Sequence, residues 1–297
     1  MSSVSHPSSR QIAMSQDSEQ NIRRQLAART VYLQGKWVYF GGASLALLLA
    51  LVSPLVLVFW PDLGPLLGAV AGLWVFVSRL VFEPLRLWLQ EKGARLQEMF
   101  DCDVLGLSWN DALVQQASGE EVRTASKNHA KSDKVRGWYP DPAECAWPTS
   151  VLVCQRANAV WARRQHRGYA VAVVIAATAW FIVGVVVATT QSATLAQYLT
   201  TIALPSLPAL LDASDVARGH WRAADARSLL EARTNALLDH PADVDDQDLR
   251  EIQDQLYNLR AEAPLVPEWF YKAIRGGYEA DMRYAADQVA EETSRGD

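Results

Sequence analysis

Residues 168–211 read GYAVAVVIAATAWFIVGVVVATTQSATLAQYLTTIALPSLPALL, 44 residues without a single Asp, Glu, Lys, Arg or His. A soluble helix needs a polar face, and this stretch has none. As one straight helix it would run roughly 66 Å, about twice a hydrocarbon core of ~30 Å, so it must fold back on itself. The polar cluster Thr189, Thr190, Gln191 and Ser192 marks the reversal, leaving 168–188 and 193–211 as arms each about long enough to cross once. The last arm is the more polar one, with Gln197, Thr200, Thr201, Pro205 and Pro208 in it.

A second apolar block, 37–78, holds only one ionisable side chain besides Tyr39, namely Asp62. It breaks at Trp60-Pro61-Asp62-Leu63-Gly64-Pro65, where two prolines and a glycine end one helix and start another. Arg79 stands near the end of the second arm, where it can snorkel to the interface and pair with Glu83 at i+4. Basic residues fall before the first span (Arg10, Arg23, Arg24, Arg29, Lys36) and at both ends of the middle segment (Arg86, Lys92, Arg95; Arg156, Arg163, Arg164, Arg167). Neither tight turn carries one. By the positive-inside rule both termini and the middle segment face the cytoplasm. The expected fold is an all-α integral membrane protein, with two transmembrane hairpins (four spans) and helical cytoplasmic segments.

The organisation that follows is a disordered leader (1–20), a cytoplasmic helix (21–36), the first hairpin (37–83), a cytoplasmic middle segment (84–167), the second hairpin (168–211) and an acidic helical tail (212–297). A polar leader followed by a long apolar stretch exceeds the dimensions of a cleavable signal peptide. Across all 297 residues, 28 basic and 33 acidic side chains leave a net of −5, which excludes binding to a nucleic-acid polymer by bulk charge. The tail holds 10 basic against 19 acidic residues, a net of −9, and should either stand off an anionic membrane or pack on the basic middle segment. Leu249, Ile252, Leu256 and Leu259 repeat at 3, 4 and 3 residues, the seam of a core helix or of a subunit contact. Cys102, Cys145 and Cys154 match no zinc spacing and lie where thiols stay reduced.

No glycine-rich phosphate loop, HExxH, GxSxG or paired CxxC is present, and the expectation is a protein that is not an enzyme and holds no metal or cofactor. Cys102 beside Asp101 and Asp103, or Cys154 with His166, gives no spacing that demands a nucleophile and base. Small residues recur at contact spacing: Gly68 and Gly72, Ala172 and Ala176, Gly184 and Ala188. Thr189, Thr190, Gln197, Thr200 and Thr201 offer a polar wall without fixed charge, either as pore lining or as groups that satisfy their own backbone. Four helices enclose no evident water path, so a channel would require a homo-oligomer.

Several cytoplasmic motifs resemble those of the SMODS-associated four-transmembrane effectors, a bacterial family of pore-forming proteins by expectation. They run in order from 21–36 through FDCDVLGLSWN at 100–110, Trp138-Tyr139-Pro140, CQRANAVW at 154–161, LYNLR at 256–260 and VPEWFY at 266–271, so that the likeness covers nearly the whole chain. The resemblance implies a role in abortive antiphage defence, perforating the inner membrane when a partner nucleotidyltransferase makes a cyclic oligonucleotide. That nucleotide would be an activating ligand rather than a cofactor. It wants aromatic planes for its bases and Arg forks for its phosphates. Trp109, Trp138, Tyr139 and Trp161 can supply the planes; Arg156, Arg163 and Arg164 can supply the forks. Those residues have an equally simple reading as core, interface or topology groups. A constitutive channel or transporter, and a membrane scaffold that recruits a cytoplasmic partner, remain the alternative functions.

Overall fold

Each apolar block leads, without a break in helix, into a more polar extension, and the extensions pack in pairs. The computed structural model describes residues 6–59, 64–127, 135–140, 145–190, 192, 194–198 and 204–274. All regular structure among the described residues is helical. In chain order the helices are α1 (Ser9–Gln16), α2 (Glu19–Phe59), α3 (Gly64–Val77), α4 (Glu83–Leu105), α5 (Gly119–Ser126), α6 (Thr149–Thr190), α7 (Leu195–Tyr198), α8 (Leu204–Leu238) and α9 (Asp246–Glu262). Among the described residues α6 is the one helix both long and apolar enough to cross a bilayer on those grounds alone; its most apolar window is only 6% buried. A core helix would be covered by its neighbours, whereas this one turns Ile175, Trp180 and Phe181 outward. The turn expected at 60–63 lies outside the described residues, as do Gln191, Thr200 and Thr201.

α2 lies along α4, and α6 along α8. Within the first hairpin the Trp74 indole donates to the Gly42 carbonyl at 3.3 Å, fastening α3 to α2. Between α3 and α4 the helix opens into a π-turn, Ser78–Phe82. Its cause is Pro84, in the first turn of α4: a proline donates no hydrogen bond and crowds the carbonyl four residues back, so the ladder must widen there. Glu83, expected to pair with Arg79, bonds Arg86 instead, at 2.6 Å. Exposed Trp37 on α2 and Trp88 on α4 sit near the open ends of this hairpin, where amphipathic rings suit a membrane interface.

The leader read as disordered is partly ordered. Ser8 and Gln11 form a capping box that starts α1, and Ile12 is buried in the main hydrophobic core. Ser150 Oγ donates to the Pro7 carbonyl at 2.6 Å, and the His6 ring stacks on Trp147 at 3.9 Å. A Ser- and Gln-rich composition carries little burial of its own, so this order comes from tertiary bonds that no local pattern announces.

Of two glycines where α2 and α4 approach, only Gly93 is required by the packing. A Cβ at Gly93 would sit 3.0–3.1 Å from the Tyr32 ring, whereas one at Gly35 would meet Leu89 and Leu265 at 3.5 Å, ordinary contact. Gly93→Ala should therefore cost about 1–3 kcal/mol through overpacking, while Gly35→Ala should be neutral or stabilising because alanine is the better helix former. Thermal unfolding of the purified chain in detergent checks this; equal midpoints for the two variants would contradict it.

Candidate functional site

The family-like motifs converge on one buried polar cluster built between α4 and α9. α9 starts at Asp245, whose carboxylate accepts from the Gln247 and Asp248 amides at 2.9 and 3.0 Å. Its apolar seam, Leu249, Ile252 and Leu256, enters the main core with Phe100, Leu105 and Leu152, which makes it a core helix within one chain. Its polar side meets Glu98 and Asp101 of α4, both withdrawn from solvent. Arg260 donates to Asp101 at 2.5 Å, and Arg250 to Glu98 at 2.5 Å. Gln253 bridges the two carboxylates, donating to Glu98 at 2.8 Å and to Asp101 at 2.9 Å. The Tyr139 hydroxyl donates to Asp101 at 2.6 Å and accepts from Asn158 of α6 at 3.0 Å. Every carboxylate oxygen therefore has a donor, which is what a buried charge requires.

The electrostatics follow from that packing. Burial pushes the Glu98 carboxyl up from its ordinary value, against the pull of Arg250. Burial works against the charges on Arg250 and Arg260 too, yet Glu98 beside the first and Asp101 beside the second hold both guanidiniums more firmly protonated. Burial, then the nearby Asp101 charge, drives the Tyr139 hydroxyl well up. Cys102 accepts from Arg250 and donates to Glu98 at 3.4 Å. Burial raises its thiol far above the usual range, so it stays protonated and is a structural group rather than a nucleophile.

The far end of α9 is held by side chains from two other helices. Gln90 of α4 donates to the carbonyls of Arg260 and Ala263 at 3.0 and 2.5 Å, and Arg227 of α8 donates to that of Leu259 at 2.8 Å. The Arg260 and Ala263 carbonyls lie past the last intrahelical bonds of a helix C-terminus, whereas that of Leu259 also accepts from the Ala263 amide at 3.3 Å. Gln155 of α6 donates to the Leu249 carbonyl at 2.8 Å. α9 is thus bonded to the polar extensions of both apolar blocks.

The residues proposed for nucleotide contact are divided over several places. Trp109 and Trp138 pack against the main core with Tyr139, and the Trp109 indole donates to the Val114 carbonyl at 2.8 Å. Arg156 donates to Asn235 at 2.6 Å, and Arg163 Nε lies 3.1 Å from Glu231, both partners on α8. Arg164 is likewise engaged on α6, and the Trp161 ring meets Tyr271 edge-on at 6.1 Å. The acidic tail thus packs on the basic segments: Glu231 serves the α6 arginines, and Glu268 sits 3.4 Å from Arg29 and 3.0 Å from Lys36. Of the polar wall, the Thr189 and Thr190 hydroxyls donate to the Val186 and Val187 carbonyls of their own helix at 2.8 and 3.0 Å. Ala188 is buried, Ala172 and Gly184 are half-buried and Ala176 is exposed. The surroundings of Gly68, Gly72 and Gln197 lie outside the described side chains.

Sequence reading missed a histidine pair. His166 of α6 and His220 of α8 approach Nδ1 to Nδ1 at 2.8 Å, so one ring donates and the other accepts. His220 Nε2 is buried with no partner among the described residues, which favours the tautomer in which His220 donates through Nδ1. Burial, then the charge of Arg227, presses His220 down to about 4. Burial, then Arg227 and His220, lowers His166 as well. Only the 54-residue separation hid this contact. The unfolded chain takes up these protons near pH 6.5, so the pair's contribution to stability is complete above that pH and is lost as pH falls toward 4. For His220 the loss should be on the order of 3 kcal/mol, at ~1.4 kcal/mol per pH unit. Unfolding midpoints between pH 7 and 4.5 should fall less steeply in His220→Gln than in the parent; parallel slopes would contradict the assignment.

Comparison with known proteins agrees with this architecture. The SMODS-associating 4TM effector domain matches residues 10–289. A protein of Bacillus cereus (strain VD146) named as a probable CBASS effector molecule is 26% identical over 274 residues, covering 86% of this chain and 90% of that one. No solved structure matches the chain. The chain belongs to the SMODS-associating 4TM effector domain family.

Proposed function

We propose that this protein is a pore-forming or membrane-disrupting effector of bacterial antiphage defence, held silent until a cyclic oligonucleotide from a partner nucleotidyltransferase reaches its cytoplasmic domain. The family and the Bacillus relative support the antiphage setting. The single observation that carries the mechanism is α6: one uninterrupted 42-residue helix whose first turns are buried in the cytoplasmic core and whose later turns expose apolar side chains. A helix that is half core and half lipid-facing passes a change at one end directly to the other. α2 repeats the pattern over 41 residues, from buried Ile22 and Leu26 to exposed Leu47 and Leu48.

In this reading the chain crosses the inner membrane four times with both termini in the cytoplasm, and several copies assemble so that their spans enclose a path. Ligand acts by favouring one arrangement of the cytoplasmic helices over another, and can shift that balance only by its difference in affinity for the two. The chain itself performs no chemistry.

A potential-sensitive dye in cells carrying this chain tests the reading. Depolarisation should appear only with a catalytically active partner nucleotidyltransferase. Equal depolarisation with an inactive one would favour a constitutive channel, and an untouched potential in both would favour a scaffold.

A further inference from the structure

A cleft of about 900 Å³ opens between α2, α4 and α5, away from every residue considered so far as a ligand contact. That size falls within the range of small-ligand clefts, about 300–1,000 Å³. Its ionisable lining is Arg23 and Arg24 of α2, Arg123 of α5, Lys127 just beyond it, and Glu19. Four cations against one carboxylate make a net of +3, in a chain whose total is −5. Met99 of α4 and Val122 of α5 give it an apolar floor.

The cations are differently prepared. Arg24 is held in place by Asp103 at 3.0 Å and by the side-chain Oδ1 of Asn21, which accepts from it at 2.9 Å. Arg23 pairs with Glu19 on the surface. Arg123 and Lys127 make no ion pair among the described residues, although acidic side chains are plentiful in this chain. α5 is meanwhile anchored to α4 on its other side, where Glu121 receives Arg95 at 2.9 Å and Lys92 at 3.7 Å. Arg123 and Lys127 are the two cations of the cleft without a carboxylate among the described residues, and beside the paired Arg23 and Arg24 they raise the local concentration of anions.

Position then decides what kind of anion. Arg24 precedes the start of the first apolar block by 13 residues of continuous α2, about 20 Å along the axis, and Met99 follows Glu83 by 16 residues of α4, about 24 Å. Both lengths exceed a Debye length of about 8 Å at physiological salt, so lipid headgroups lie beyond reach. The partner is therefore a soluble polyanion, small enough to enter the cleft and carrying phosphates that guanidinium groups can grip in pairs.

We propose that this cleft is the binding site for the phosphodiester ring of the activating cyclic oligonucleotide, with Arg23, Arg24, Arg123 and Lys127 as its phosphate contacts; the assignment rests on the nucleotide-triggered reading given above. A phosphate at Arg24 competes with Asp103 of α4, and one shared with Arg123 draws α5 toward α2. Both effects act on the cytoplasmic ends of the helices that enter the first hairpin.

The test uses the full chain in detergent and the product that the partner nucleotidyltransferase makes in vitro from the four ribonucleoside triphosphates, with phosphatidylglycerol vesicles as a separate arm. Arg123→Gln combined with Lys127→Gln, both at exposed positions, should leave the unfolding midpoint unchanged and weaken product binding at least tenfold, with vesicle binding unaltered. Arg23→Gln should weaken it further, and parent affinity should fall as salt rises. Product binding equal in parent and double variant would overturn the cleft while leaving the nucleotide trigger intact. A parent chain that binds no product would remove the trigger and the cleft together. Loss confined to vesicle binding would reassign the patch to lipid.

Discussion

Two carboxylates, Glu98 and Asp101, are buried one helical turn apart on α4, and the part of the molecule outside the apolar blocks depends on how they are neutralised. Neither can remain there charged without donors, because the desolvation of a lone carboxylate costs several kcal/mol. All the strong donors but Tyr139 come from α9: Arg250, Gln253 and Arg260. The tail of the chain is therefore obliged to return to α4, and the ion pairs specify where α9 sits more than they add to net stability.

That obligation ties the two helix pairs together. α9 is bonded at its end to both α4 and α8 and along its length to α6, so the extensions of the two apolar blocks share one clasp. In the proposed mechanism this clasp is one mechanical link from α2 and α4, the walls of the cationic cleft, to α6 and α8, alongside the direct packing of α2 on α8. The packed His166 and His220 pair and the Gly93 and Tyr32 contact make each helix pair resist gradual deformation, the condition under which small shifts switch discretely between arrangements.

Much of the fold was legible in the sequence, for specific reasons. The charge-free run 168–211 announced itself because a bilayer excludes ionisable groups, and α9 did so because Leu249, Ile252 and Leu256 keep helical spacing. The motif around Asp101 was visible as a motif, but its partner Arg260 stands 159 residues away and nothing local pairs them. For the same reason Arg156 and Arg163 read equally well as phosphate forks and as topology signals, while Glu231 in the acidic tail engages both. The cleft draws Arg23 and Arg24 from one end of the chain and Arg123 and Lys127 from its middle, a juxtaposition that only the α2, α4 and α5 packing creates.

The clasp is tested most directly by a double-mutant cycle on Asp101→Asn and Arg260→Gln, read as unfolding free energy of the purified chain. A buried, mutually dependent pair predicts a coupling energy of roughly 2 kcal/mol or more, with the double variant less damaged than the sum of the single ones. Additivity to within ~0.5 kcal/mol would mean that α9 is held by its apolar seam alone and that the two carboxylates do not organise the fold.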